Sequence, residues 1–332
     1  MIALVTGATG LVGSHIVAQL LESGWQARAL VRDPAAAAWL ARTGARLAAG
    51  SLDDVAALAA AAAGCDVLFH TAAAITNAGR WDDYRRANVD GTRNVVDAAA
   101  GAGARLLHLS SVAVFGHARY ADPARAVDEN TPLAPLDEGD YYGRSKRESE
   151  QLVLAAHEEG RLWATAIRPC VIYGPRDRQF VPRFARLVSA GAIPLVGGGA
   201  RRFAVVHAAN VADAAIRAAA TPSAGGTAYV TANDGDVSYP RFAALAAAGL
   251  GRRARFVRLS PGVASRGVAV ARGAARLVGS DDLAGRLRSA LDFIARDNPF
   301  SSERAVRELG WAPRVPHETG VPEAFASFAQ RQ

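Results

Sequence analysis

The 332-residue chain is expected to fold as an α/β protein, a doubly wound parallel sheet followed by a smaller C-terminal lobe. Three observations carry that expectation. Short apolar runs alternate with helical patterns through the first half, a glycine-rich turn joins the first run to the first helix, and the alternation breaks down after Pro169. Strands of a parallel sheet are covered on both faces, so they read as near-continuous apolar stretches separated by helices.

The first strand is expected at Ile2–Thr6, followed by the turn Thr6-Gly7-Ala8-Thr9-Gly10-Leu11-Val12-Gly13 and a helix over Leu11–Glu22. Strands follow at Gln26–Val31, Arg46–Ala49, Val67–His70, 105–110 and 163–168, with helices over 55–63, 81–102 and 142–159. The alanine-rich stretches at 35–38 and 56–63 fit helical slots, because alanine is the best helix former. Beyond Pro169, Gly174-Pro175 and Gly197-Gly198-Gly199 punctuate shorter elements, with strands near 203–206 and Ala228–Thr231. No internal repeat is present. Residues 1–170, with 205–235 contributing, form the expected sheet domain, and 171–204 with 236–332 form the lobe.

With 50% hydrophobic residues the chain can bury one large core or two smaller ones. It holds no apolar run of about 18 residues, so no integral membrane segment is expected. Met1 leads at once into Ile2-Ala3-Leu4-Val5, without a basic region or cleavage site, which points to the cytoplasm. Cys65 and Cys170 have neither metal nor redox spacing, so reduced thiols and no metal are expected. The net charge of +7 raises the question of nucleic acid. The arginines are scattered and not interleaved with aromatics, which argues against it. Residues 252–288 hold nine arginines against Asp281 and Asp282, an excess equal to that of the whole chain. A solvated face, an acidic partner and a membrane surface all remain open for this segment.

All but one of the 38 basic residues are arginine. The exception, Lys146, follows Tyr142 by four residues in Tyr142-Gly143-Arg144-Ser145-Lys146. A lone lysine in an arginine-rich chain marks a position that wants a compact ammonium, since a guanidinium differs in shape, hydration and reach. On a helix, i and i+4 share a face, which sets the ammonium beside the phenol.

The glycines of the first turn let the backbone bend tightly and approach a pyrophosphate, and the helix start offers free amides and a positive dipole end. Placed between a terminal strand and an amphipathic helix, the turn points to a Rossmann-type dinucleotide site. The second strand ends Val31-Arg32-Asp33-Pro34. A carboxylate at the decisive position would accept from a ribose 2′-hydroxyl, whereas an arginine pairs with a 2′-phosphate. Arg32 favours NADP over NAD.

With the glycine turn, the Tyr-x-x-x-Lys pair and the strand order, the chain resembles the extended short-chain dehydrogenase/reductases. His70-Thr71-Ala72-Ala73, Asn88-Val89-Asp90-Gly91-Thr92-Arg93-Asn94-Val95, Ser110-Ser111-Val112-Ala113-Val114-Phe115-Gly116 and Arg168-Pro169-Cys170-Val171-Ile172-Tyr173-Gly174-Pro175 match in order. The likeness is dense to about residue 175 and resumes at Leu309-Gly310-Trp311-Ala312-Pro313.

The resemblance implies that Tyr142 gives a proton to a carbonyl oxygen while NADPH delivers hydride, or runs the reverse. As a base near neutral pH the phenol needs about 4 kcal/mol of help toward phenolate, expected from Lys146 and the oxidised nicotinamide. Ser111, in preference to Ser110, would orient the carbonyl oxygen. Asn88 is either the family's helix-bending relay asparagine or a plain structural amide. Cofactor contacts are implied for Gly7, Thr9, Gly10, Leu11, Val12, Arg32, Ser51, Leu52, Thr71, Ala72, Ala73, Tyr142, Lys146, Pro169 and Val171. Substrate contacts are implied for Ile75, Trp81, Val112, Tyr173 and Phe180, with 263–277, including Arg266, Arg272 and Arg276, either a lid or a surface helix. Gly50-Ser51-Leu52 departs from the family's Gly-Asp-Leu, weakening one adenine contact, and Tyr141 is off register for the lysine and reads as packing. A homodimer through the helices carrying Asn88 and Tyr142 is implied, with Val89, Val95, Val96, Leu152 and Val153 as contacts unless they face the core.

Two branches remain. Nucleotide-sugar epimerases or dehydratases with tightly bound NAD(P) place an arginine four residues before a strand histidine; here Phe203 holds that position before His207, and Arg202 sits five before. A one-residue slip turns a side chain to the other face of a strand. Val31-Arg32-Asp33-Pro34 resembles dihydroflavonol-reductase-like enzymes, and Gly79-Arg80-Trp81-Asp82-Asp83-Tyr84 resembles the 3β-hydroxysteroid-dehydrogenase-like branch, with its bacterial reductases of long-chain β-keto compounds. The expectation is therefore an NADP(H)-dependent oxidoreductase interconverting a ketone and a secondary alcohol on a small or apolar substrate. The sugar-nucleotide branch is the alternative, and a non-catalytic NADP-binding protein is disfavoured by the intact Tyr142–Lys146 pair.

Overall fold

Seven parallel strands build the central sheet, in the order β10-β6-β5-β4-β1-β2-β3. The computed structural model describes residues 1–75, 80–120, 125–196, 201–232, 237–277, 297 and 299–331. The chain runs β1 (Ile2–Thr6), α1 (Leu11–Glu22), β2 (Gln26–Val31), α2 (Ala38–Ala41), β3 (Arg46–Ala49), α3 (Val55–Ala62), β4 (Val67–His70), α4 (Trp81–Tyr84), a π-helix (Arg85–Asp90), α5 (Gly91–Ala102), β5 (Arg105–Leu109), α6 (Tyr141–Glu158) and β6 (Ala164–Pro169). It continues through β7 (Val171–Tyr173), α7 (Phe180–Ser189), β8 (Ile193–Val196), β9 (Val205–His207), α8 (Ala208–Ala220), β10 (Ala228–Thr231), α9 (Tyr239–Gly249), β11 (Phe256–Leu259), α10 (Pro261–Leu277), α11 (Glu303–Leu309) and α12 (His317–Ala329). Winding reverses between β1 and β4, the crevice where ligands bind in open α/β sheets.

Alternation along the strands assigns the two faces. Ala3, Val5, Val67, Phe69, Leu107 and Leu109 enter a core with α1 and α8, while Leu4, Leu68 and Leu106 enter the opposite core with α3, α5 and α6. A third core forms the lobe, where Phe184 packs edge to face with Tyr239, Phe242 and Phe325, and Phe203 does so with Tyr239. The closing motif returns to the sheet domain. Trp311 is buried and donates to the Asn210 carbonyl oxygen at 3.0 Å, and the Asn210 side chain accepts from the Arg314 and Val315 amides.

Several boundaries differ from the sequence expectation. The helix expected over 81–102 is interrupted by a π-turn at Arg85–Asp90. The strand expected near 203–206 lies instead at Val205–His207, because the Phe203 amide bonds to the Val237 carbonyl and its ring joins the lobe core. The parallel pairs β7–β9 and β8–β11 carry too few residues to show a period and were not foreseen, while the helical slot expected at 35–38 is a turn that leads into the short α2 from Ala38. Glycines 267 and 273 do not break α10, which is exposed at nearly every described position, including Val263 and Val270. This is the surface-helix alternative.

Val95, Val96 and Val153 are buried in the chain's own core, so they are not available as dimer contacts; Val89 and the half-buried Leu152 line a surface groove. Both cysteines are free and buried. Among the described residues no helix is long and apolar enough to cross a membrane.

Candidate active site

The dinucleotide cradle is built from backbone proximity. Gly7 sits at φ 71°, its carbonyl accepts from the Gly10 amide at 2.8 Å, and a Cβ on Gly7 would fall 2.6 Å from the Ala72 nitrogen. A Cβ on Gly7 or on Gly13 would also fall 2.8 Å from the Thr71 hydroxyl, which donates to the Thr6 carbonyl. Only glycine lets the ends of β1, β4 and α1 close together here. Gly10 is the N-cap of α1 and supplies no side-chain cap, so the amides of Leu11, Val12 and Gly13 stay available for an anion. The Val12 side chain itself is core. These features fit a pyrophosphate.

Thr9 and Gly10 are exposed at this mouth, and Ser51, Leu52, Thr71, Ala72, Ala73 and Val171 are half-buried around it. Leu52 is tied to α5, its carbonyl accepting from Asn94 at 2.8 Å. Pro169 pairs with Thr231 at the end of β6. Arg32 is exposed, with no acidic partner among the described residues. Neighbouring Asp33 accepts from the Ala35 and Ala36 amides at 2.9 and 3.1 Å, so its carboxylate is engaged in its own turn.

Tyr142 and Lys146 lie one turn apart on α6, whose start is capped by Asp140 accepting from the Gly143 amide. Lys146 is 3% exposed and donates to the Leu109 carbonyl oxygen at 2.7 Å. Burial lowers its pKa to about 8, with Glu150 pulling the other way. The Tyr142 side chain is half-buried, and the Ser111 hydroxyl acts on its phenol. Burial raises its pKa, Ser111 opposes, and Asp140 and Tyr84 add to the rise. The sequence expectation of a lowered phenol concerns the site with an oxidised nicotinamide in place; in the chain alone burial outweighs Ser111. The ammonium is committed to Leu109, and burial dominates.

Ser111 is half-buried and also accepts from the Ala113 amide at 3.2 Å, whereas Ser110 is buried with no partner for its hydroxyl among the described residues. Of the two serines, Ser111 is the one that acts on the Tyr142 pKa. Arg147 donates to the Val114 carbonyl at 3.0 Å and the Ala134 carbonyl at 2.7 Å, locking the Ser111 turn to α6. Asn88 is buried in the π-turn, and its amide group donates to Ser145 at 2.9 Å and bonds both ways with the Ala74 backbone. Beneath Lys146, Glu150 and Arg168 form a bidentate buried pair at 2.8 and 2.6 Å.

At the outer edge, Ile75 is exposed, Val112 is buried beside Ser111, and Trp81 lies under the Arg144 guanidinium at 3.8 Å. Tyr141 does pack, against Trp81 and Tyr84, while remaining 37% exposed. Phe180 is half-buried against Phe184, Phe203 and Phe242. Tyr173 is a correction. It is fully buried, its phenol shares a 2.9 Å hydrogen bond with His317, and its ring lies 5.2 Å from His207, so it supports the lobe and does not face a substrate. Gly79, Gly197-Gly198-Gly199, Asp281, Asp282, Arg286, Arg288 and the side chains of Arg272 and Arg276 lie outside the described residues. Sequence reasoning did not assign Thr6, Thr92, His108, Ser145 or Ser149, which are buried polar groups under α5 and α6. The available signal was that Thr6, His70 and His108 lie at or next to the ends of three apolar strands on the same parity. Among the described residues no group of three or more His, Cys, Asp or Glu could hold a metal.

A model of the NAD dependent epimerase/dehydratase family matches residues 3–232. The chain is 33% identical over 323 residues to a 4-hydroxy-2-methyl-3-oxo-4-farnesyl-3,4-dihydroquinoline-1-oxide ketoreductase of Stigmatella aurantiaca, covering 97% of this chain and 95% of that one. It is 32% identical over 337 residues to a 2-alkyl-3-oxoalkanoate reductase of Stenotrophomonas maltophilia, covering 98% and 99%. The crystal structure of gox2253 superposes with a TM-score of 0.80 at 30% identity, over 99% of this chain and 98% of that one. MoeE5 in complex with UDP-glucose and NAD superposes with a TM-score of 0.73 at 24% identity, over 100% and 99%, a likeness of fold alone. The glycine cradle, the Tyr142–Lys146 turn and these matches agree: the chain belongs to the NAD-dependent epimerase/dehydratase family, within the extended short-chain dehydrogenase/reductases, and is an NAD(P)-dependent oxidoreductase of that type.

Proposed function

We propose that the chain is an NADP(H)-dependent reductase of a ketone carried on an apolar molecule. The observation that carries this reading is the pairing of Tyr142 with the buried Lys146 one turn apart on α6, with the Ser111 hydroxyl acting on the Tyr142 phenol. A protonated phenol beside a hydroxyl is suited to donating a proton to a developing alkoxide. The nicotinamide of the bound cofactor would supply the hydride. Ser111 orients the carbonyl oxygen, Tyr142 gives it a proton, and Lys146 holds positive charge one turn below. Asn88 fixes the turn from beneath through Ser145.

Two further observations support the substrate class. Two of the similar relatives reduce, by their names, a farnesylated 3-oxo quinoline oxide and 2-alkyl-3-oxoalkanoates, each an oxo group beside an apolar chain. The position that an arginine would need in order to clamp a nucleotide-sugar diphosphate is Phe203, buried in the lobe core, while Arg202 is paired with Asp297 at 3.1 Å. Both disfavour the epimerase alternative. For the cofactor, the exposed Arg32 beside an engaged Asp33 supports a 2′-phosphate, hence NADP over NAD.

The homodimer reading is retained on altered contacts. With Val95, Val96 and Val153 turned inward, the groove lined by Val89, Arg93, Glu148, Gln151, Leu152 and Ala155 is the face through which the helices carrying Asn88 and Tyr142 would meet their mates.

The test follows NADPH absorbance at 340 nm across ketones, 3-oxoacyl compounds and steroids, with NADH and Tyr142→Phe as controls. Consumption of NADPH that disappears in the variant is the expected result. Nucleotide sugars converted with no net loss of cofactor would overturn the reading.

A further inference from the structure

A chain of buried polar groups runs from β1 to the Tyr142 turn. Thr6 pairs with His70, and His70 with His108, in the register of β1, β4 and β5. All three point to the face that Leu4, Leu68 and Leu106 occupy two residues earlier, the face covered by α5 and α6. Thr6 Oγ1 lies 2.7 Å from His70 Nδ1, and His70 Nε2 lies 2.9 Å from Thr92 Oγ1. Thr92 donates to the Asn88 carbonyl at 2.5 Å. Asn88 Nδ2 then donates to Ser145, and Ser145 to the Tyr142 carbonyl, both at 2.9 Å. The Asn88 side chain also brackets Ala74, accepting from its amide at 2.6 Å and donating to its carbonyl at 3.0 Å.

The protons of this chain have one consistent placement. Thr92 has a single O–H, and the Asn88 carbonyl takes it, so toward His70 the Thr92 oxygen only accepts. That puts the imidazole proton on Nε2 and leaves Nδ1 to accept from Thr6. A neutral His70 satisfies every member. A leucine would fill the same place on this apolar face without any need for buried partners, and retaining an imidazole there costs desolvation. The beneficiary is the π-turn, a geometry that an ordinary α-helical sequence does not hold unaided.

We propose that His70 and Thr92 are positioning residues. His70, acting through Thr92, fixes the Asn88 carbonyl within the π-turn and so aims the Asn88 carboxamide at Ala74 and Ser145 beneath Tyr142. Only the catalytic consequence of this arrangement rests on the reductase reading.

The test uses the full chain with Thr92→Val, which keeps the shape and loses the hydroxyl, His70→Leu, and His70→Gln, which keeps a donor. Thr165→Val, which removes a buried hydroxyl bonded to the Thr227 carbonyl, is the control. The first readout is exchange of the Ala74 amide hydrogen, which the Asn88 carboxamide protects. The second is kcat and KM for NADPH. Expected is faster Ala74 exchange, by about 10-fold or more, and kcat lower by about 10-fold with KM unchanged, in Thr92→Val and His70→Leu. Thr165→Val stays native-like, His70→Gln lies closer to native than His70→Leu, and the double variant is no worse than the worse single, because the two act in one chain. Unchanged Ala74 exchange in folded Thr92→Val overturns the proposal, whatever kcat does. A native chain that reduces no ketone sinks the reductase reading, while the exchange measurement still decides this one.

Discussion

The Lys146 ammonium donates to the Leu109 carbonyl oxygen at 2.7 Å, tying the chain's single lysine to the end of β5 and not to the Tyr142 phenol. An ammonium has three donors, so two remain for a ribose and for the phenol's surroundings once a cofactor is seated. A guanidinium at this position would be too broad for the buried corner between α6 and β5.

Because the chain has one lysine, its titration is read without assignment. Protein labelled with 13C at lysine Cε should give one side-chain resonance, with a midpoint near the value of about 8 set by burial and not the ordinary 10.5. The sign for stability follows. Below about 8 both folded and unfolded chains hold the proton. Between there and 10.5 only the unfolded chain does, so this group's contribution to stability rises with pH across that window. A midpoint at the ordinary lysine value would mean that the ammonium is hydrated and the Leu109 contact is not made in solution.

The nucleotide preference should reside in Arg32. Arg32→Ala is expected to raise KM for NADPH by about 10- to 100-fold, the worth of one charge-assisted phosphate contact, and to leave KM for NADH unchanged. Equal losses for both nucleotides would place Arg32 on a group common to the two, and the preference elsewhere.

Much of this was legible in the sequence because its signals are local. The first four strands run where apolar runs end in Gly, Asp or Thr, and the Gly7–Gly13 turn announces its own geometry. The Tyr142–Lys146 spacing fixes a shared helix face. What escaped depends on partners distant in sequence. The π-turn at Asn88 is held from β4 through Thr92, Tyr173 was claimed by His317 some 140 residues later, and Val95, Val96 and Val153 were claimed by the chain's own core. Residue type does not report which of two faces a side chain turns to when both are apolar.

The Glu150–Arg168 pair makes a prediction about stability. Both side chains are nearly inaccessible, at 3% and 9% exposure, and Arg168 also lies 5.0 Å from the Phe115 ring centre. Glu150→Ala strands a buried guanidinium and should cost about 3–5 kcal/mol in urea denaturation. Replacing both partners with leucine and methionine should cost less, since the guanidinium is no longer stranded and only Lys146 loses the Glu150 charge. Equal losses for the single and double variants would show that packing, and not charge, is what the pair contributes.

Two glycines of the first turn should separate folding from ligand binding. Gly7 has φ 71° and no room for a Cβ against Ala72, so Gly7→Ala strains the backbone and pushes β1 from β4. Gly10 has φ −80° and ψ 176°, which any residue adopts, and its nearest Cβ neighbour is the Gly7 carbonyl at 3.0 Å. Gly7→Ala is therefore expected to lower Tm by several degrees, about 2 kcal/mol or more once strain and contact are combined. Gly10→Ala should leave Tm nearly unchanged and weaken NADPH binding, because its methyl stands where the pyrophosphate meets the first amides of α1. Fluorescence titration with NADPH and a thermal melt on each variant decide it. A Gly10→Ala chain that binds NADPH as tightly as the native one would move the pyrophosphate off the α1 N-terminus.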